Sequence, residues 1–172
     1  MDFQKRVDLG REWEIKVSCW LQENSQYVFD VYEYVPTENG AMKSARLKAM
    51  PPAESLVLPD LQVAAQGATH WIEVKYKSSA ATGHAGRATG IDYHYWQQYR
   101  SVQEVTGLPV SIFFVHGAER EIRGASLDIL SALAGFHERP GINHGQGGMV
   151  FWLYDTLPLV ARIDDGGQIV PP

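Results

Sequence analysis

The sequence has 172 residues, 45% hydrophobic and 20% charged, with a net charge of −5. That size predicts one domain with a substantial core, and no apolar run reaches the length of a membrane span. A single cysteine, Cys19, excludes a disulfide framework and a thiolate metal site, and an N-terminus without an apolar signal segment predicts a cytoplasmic address.

The acidic balance argues against indiscriminate nucleic-acid binding, but the charge is unevenly spread. Residues 1–40 hold eight acids and four bases, whereas Met42–Pro52 holds Lys43, Arg46 and Lys48 with no acid. Lys75–Gln103 holds Lys75, Lys77, Arg87 and Arg100 against Asp92 alone. A local positive face on an acidic protein is expected.

Phe3–Asn24 reads as an amphipathic helix, because Trp13, Val17, Trp20 and Leu21 recur at i, i+4, i+7 and i+8. Glu14 lies at the border of that stripe and Glu12 points away from it, so Glu14 is the acid able to look inward. Tyr27–Val35 follows as an aromatic and β-branched strand. Pro36–Glu54 is a polar connection, either loop or short helix, whose Lys43, Arg46 and Lys48 are candidate phosphate contacts or plain solvated charges.

Leu56–Lys77 reads as a β-hairpin, two apolar runs joined at Gln66-Gly67. Alternation puts Ile72, Val74 and Tyr76 on one face and Glu73 and Lys75 on the other, with Asp60 on the partner strand. Ser78–Gly90, rich in Ser, Ala, Gly and Thr, reads as a mobile loop carrying His84 and Arg87. Ile91–Thr106 is a helix stopped by Gly107, with Tyr95, Tyr99 and Val102 as its core stripe; the other aromatics are free to stack on bases.

Leu108–His116 is a nearly continuous apolar strand, as expected when both faces are covered. His70 and His116 flank strands and read as surface or edge residues. Ser126–Ala134 is a short helix and Phe136–Gly148 a Gly/His loop, with too few ligands for zinc at His137 and His144. Met149–Tyr154 and Thr156–Arg162 are further strand-like segments, and Gly166–Pro172 a polar tail. The order α-β-ββ-α-β-α-β predicts a mixed sheet flanked by helices.

The chemistry concentrates on the hairpin. Asp, Glu and Lys on one half-buried face incur a desolvation cost unless something compensates, and a hard divalent cation such as Mg²⁺ takes one or two carboxylates plus waters and a substrate phosphate. Asp60, Glu73 and the Val74 carbonyl can supply the oxygens. Lys75 can orient or deprotonate an attacking water, and Glu14 can join the metal shell. A cross-strand salt bridge at the sheet surface explains the same three charges without any metal.

Pro59-Asp60, twelve intervening residues and Glu73-Val74-Lys75 resemble the PD-(D/E)xK nuclease superfamily. Gly10-x-x-x-Glu14 followed by Leu21 is similar to the first helix of archaeal Holliday junction resolvase-type members. The resemblance covers about Phe3–His116 and implies a restriction-endonuclease-like fold, an αβββαβ core, here with a C-terminal α/β extension over residues 117–172. It implies metal ligation by Asp60 and Glu73, catalytic support from Lys75, and a role for Glu14.

The implied activity is Mg²⁺-dependent phosphodiester hydrolysis in DNA, with Mn²⁺ able to substitute and RNA not excluded. The Gln-x-x-x-Tyr motif of exonuclease-type members has no match in Tyr93–Arg100, which points to internal cutting. Nucleic-acid contacts are expected from Lys43, Arg46, Lys48, Lys77, His84 and Arg87. Cutting both strands of a duplex favours a homodimer. The alternative is a catalytically silent module of this fold that binds nucleic acid or a protein.

Overall fold

The structure, a computed structural model, describes residues 3–24, 26–30, 35–36, 42–43, 47–48, 55–83, 86–133, 136–138 and 148–172. The first helix, α1 (Phe3–Glu23), buries Trp13, Val17 and Leu21, the stripe expected from their spacing. Glu12 lies outside and pairs with Lys16 at 2.8 Å. Strand β1 is described over Tyr27–Asp30, the first part of the expected Tyr27–Val35 strand, whose middle lies outside the described residues. Val35–Pro36 pairs with Met42–Lys43, and Leu47–Lys48 with Ser55–Leu56.

The hairpin forms as expected from β2 (Leu61–Ala65) and β3 (Ala68–Lys77). Gln66 and Gly67 both have positive φ, 51° and 80°. Positive φ at both central residues is the geometry of a two-residue turn whose twist matches its strands, and Gly supplies it without strain.

Ser78–Gly90 departs from the loop expected there. Ala81–Gly83 (β4) and Gly86–Asp92 (β5) form a second hairpin. Low strand propensity is overridden by packing, since Ala88, Thr89, Gly90 and Ile91 are all buried. A Cβ on Gly90 would collide with the Val150 carbonyl, so this position requires glycine.

Helix α2 therefore begins at Tyr93 rather than Ile91 and runs to Thr106, where Gly107 turns left-handed with φ 67°. Its buried face is Trp96, Tyr99 and Val102, and Tyr95 is exposed. The expected stripe was wrong by one residue at its first ring.

Strand β6 (Val110–His116) lies parallel to β3, with Ile112 opposite Glu73 and Phe114 opposite Lys75. Beyond it come β7 (Glu121–Ser126), the short helix α3 (Leu127–Ala132) and β8 (Phe136–Glu138). Then follow β9 (Met149–Leu153), β10 (Leu159–Ile163) and β11 (Ile169–Val170). Strand β7 was not expected. The Ser126 side chain accepts from the Ile129 N–H and so caps α3.

The large sheet has the order β1-β2-β3-β6-β7-β10-β11, and a four-stranded sheet the order β8-β9-β5-β4. The last third of the chain thus completes both sheets. One core packs α1 on the large sheet through Val17, Leu21, Val63, Ile72, Val74 and Val115. The other lies on the opposite side, where Trp71, Ile112 and Phe114 meet Trp96, Tyr99, Leu130 and Trp152. Among the described residues no helix is long and apolar enough to cross a membrane.

Candidate active site

The charged face of the hairpin follows from the period of two along β3. Ile72 and Val74 turn to the α1 core, so Glu73 and Lys75 turn to the α2 side. Glu73 is 2% exposed and forms an ion pair with Lys75, whose side chain is 30% exposed. The ladder between β2 and β3 ends at Leu61–Ile72, leaving the next outward N–H, that of Val74, without a strand partner. Asp60, one residue before β2, takes that place, its Oδ2 accepting from the Val74 N–H at 2.8 Å. The Val74 carbonyl points to the same unpaired edge.

Asp60 feels two other acids here, Glu73 from the same hairpin and Glu14 from α1. The Asp60 carboxyl is pushed well above the usual carboxylate range by loss of solvation and by Glu73 and Glu14, against the pull of Lys75 and the Val74 N–H. Lys75 is pushed up although burial opposes its charge, because Glu73 and Asp60 surround it. Glu73 Oε2 is buried with no hydrogen-bond partner. A buried orphan oxygen beside a carboxyl raised by its acidic neighbours is what a cation would relieve, so the donor set fits a hard divalent ion.

Among the described residues no three His, Cys, Asp or Glu side chains gather closely enough to hold an ion by themselves. The fitting set is therefore two carboxylates and one carbonyl, with Glu14 within electrostatic reach of Asp60.

An aromatic wall was not foreseen. The Lys75 ammonium lies 5.2 Å from the Tyr95 ring centroid and 6.0 Å from that of Tyr99. The two rings stack on each other at 6.3 Å. Ring faces attract an ammonium, so α2 contributes rings that hold the lysine over the site. Tyr95 and Tyr99, four apart on a helix following a Glu-x-Lys strand, were the available signal.

The expected nucleic-acid contacts divide. Lys77 shares the face of Lys75, and its pKa is lowered by burial and by Lys75. Arg87 is committed elsewhere, to Asp155 at 2.7 Å and to the Tyr154 ring at 4.4 Å. Arg46 and His84 lie outside the described residues, and Lys43 and Lys48 fall in the short ladders.

His116, expected at a surface or edge, is 0% exposed. Its ring meets the edge of Tyr154 at 4.8 Å, both ring nitrogens lack partners, and burial pushes its pKa down to about 4. Tyr154 in turn donates to Glu121 at 2.7 Å, and Arg123 lies 4.6 Å from its ring.

No protein-family model matches the chain, and no curated protein matches its sequence. Among solved structures it is similar to Hjc, a Holliday junction resolvase from the archaeal hyperthermophile Archaeoglobus fulgidus. The TM-score is 0.52 at 11% identity, over 86% of this chain and 85% of that one. The likeness is one of fold, and together with the sheet order it gives this chain a restriction-endonuclease-like fold.

Proposed function

We propose that this chain is a divalent-cation-dependent nuclease that hydrolyses phosphodiester bonds in DNA, cutting internally. The observation that carries the reading is the meeting of Asp60, Glu73 and Lys75 where β2 gives out beside β3. The fold shared with a Holliday junction resolvase supports DNA as the substrate class.

Asp60, Glu73 and the Val74 carbonyl would hold Mg²⁺, or Mn²⁺ in its place. When bound, the ion supplies Lewis-acid stabilisation of the charge that develops on the phosphoryl oxygens. The Asp60 carboxylate is oriented by the Val74 N–H, and Glu73 is held in a water-poor pocket where its charge acts strongly. Lys75, fixed by Glu73 and the rings of Tyr95 and Tyr99, donates hydrogen bonds that orient the attacking water and offset negative charge on the phosphate. Glu14 adds negative potential from α1. A homodimer would place one such site on each strand of a duplex.

The test is cleavage of supercoiled, linear, single-stranded and four-way-junction DNA with Mg²⁺, Mn²⁺ or EDTA, with Asp60→Ala and Lys75→Ala beside the wild type. Metal-dependent cutting lost in both variants is the expected result. A folded chain that cuts none of these substrates overturns the reading.

A further inference from the structure

We propose that Tyr27 and Phe29 form a stacking platform for unpaired nucleobases on the face of the sheet that carries the cleavage site; this rests on the nucleic-acid reading above. Tyr27 is 75% exposed and Phe29 55% exposed, on the edge strand β1. Val28 between them turns the other way, into the α1 core. Two large rings thus stand side by side on one face of an edge strand, with solvent over them.

The register fixes which face this is. Tyr27 lies opposite Ala64, which lies opposite Thr69; Phe29 lies opposite Gln62, which lies opposite Trp71. Trp71 alternates with Glu73 and Lys75 along β3, so both rings share the catalytic face. From Phe29, Glu73 is two strands across and two residues along, a span of about 12 Å at ordinary sheet spacings. That is about three to four nucleotides at the 3.4 Å rise of a stacked strand.

Spacing and charge both favour bases as the occupant. Residues i and i+2 of a strand stand about 7 Å apart, about twice the stacking rise of bases. The six residues of the two register rows carry no charge, so no carboxylate in them repels a phosphate on this acidic chain. Arg87 is already paired with Asp155, and a net charge of −5 limits what phosphate neutralisation alone can supply. Stacking supplies affinity that does not depend on phosphate neutralisation, and only unpaired bases offer their faces to it.

The experiment measures binding of the full chain, in EDTA, to labelled oligothymidine and to a fully paired duplex of equal length, for wild type and for Tyr27→Ala/Phe29→Ala. Both rings are exposed, so the variant is expected to fold, which circular dichroism checks. Wild type is expected to prefer the unpaired strand, and the double variant to bind it about 30-fold or more weakly, at one stacked base per ring. The salt dependence of binding stays the same, because no phosphate contact is removed. Tyr27→Trp/Phe29→Trp is expected to retain the preference.

Unchanged affinity, or an equal loss on duplex and single strand, overturns the platform. So does light scattering that finds a wild-type dimer and a monomeric double variant, since a second copy would then cover these rings. Cleavage is scored separately. Binding without cutting removes the nuclease reading and keeps the platform, whereas cutting with wild-type binding by the variant does the reverse.

Discussion

His116 makes the fold sensitive to acid. In the unfolded chain a histidine titrates near 6.5, but in the fold burial, with Lys77 and Arg123 nearby and Glu119 opposing them, holds its pKa at about 4. The folded state therefore refuses a proton that the unfolded state accepts. Stability from this group is complete above pH 6.5, declines as pH falls from 6.5 to 4, and levels off below 4. A shift of that size is worth about 3 kcal/mol over the window, a large part of the 5–15 kcal/mol typical of a domain. Urea unfolding at pH 7.5, 6, 5 and 4, for wild type and His116→Phe, measures it. Phenylalanine keeps a ring against Tyr154 and does not titrate, so its stability is expected to fall far less across this range. It also removes two buried nitrogens without partners, which is expected to raise stability at neutral pH. Parallel loss in both proteins between pH 6.5 and 4 would refute the assignment.

Other outcomes follow from the same geometry. Glu73→Gln is expected to lower metal-dependent cleavage by about 10²-fold or more while the fold persists, as read by gel assay and circular dichroism. Calorimetry should show its Mg²⁺ affinity reduced, and unaltered affinity would remove Glu73 from the metal site. Arg87→Ala frees Asp155 and uncovers one side of Tyr154, so about 1 kcal/mol of stability is lost. That corresponds to about 2–4 °C in Tm for a domain of this size. Gly124→Ala drives a Cβ into the Ile112 carbonyl across the β6–β7 pair. It is expected to destabilise by several kcal/mol, seen as poor soluble yield or a Tm lowered by more than about 10 °C.

The parts legible in the sequence were those whose partners are close in the chain. The Trp13, Val17 and Leu21 stripe and the Gln66-Gly67 turn specify α1 and the β2–β3 hairpin through local periodicity and turn chemistry. Asp60, Glu73 and Lys75 were readable because a period of two and a hairpin bring them together. Strand β5 was not readable, because Ala-Thr-Gly-Ile is extended only when β9, from far along the chain, pairs with it. Strand β7 hid behind Glu121 and Arg123, which pair with each other at 2.7 Å and so tolerate a half-buried position. His116 ends an apolar strand, and only the tertiary approach of Tyr154 buries it.

The strand order has a consequence for synthesis on the ribosome. The β5 backbone emerges well before β9 is translated, and β6 before β7, so each waits with an open hydrogen-bonding edge. Unpaired edges of this kind are templates for association with other chains. A nascent chain arrested after His116 would carry the whole Asp60–Glu73–Lys75 cluster and the β4–β5 hairpin, yet lack β9 on the other edge of β5 and the outer partner of β6. Such a chain is expected to be protease-sensitive and to require chaperone protection, with cooperative closure delayed until β9 and β10 leave the exit tunnel.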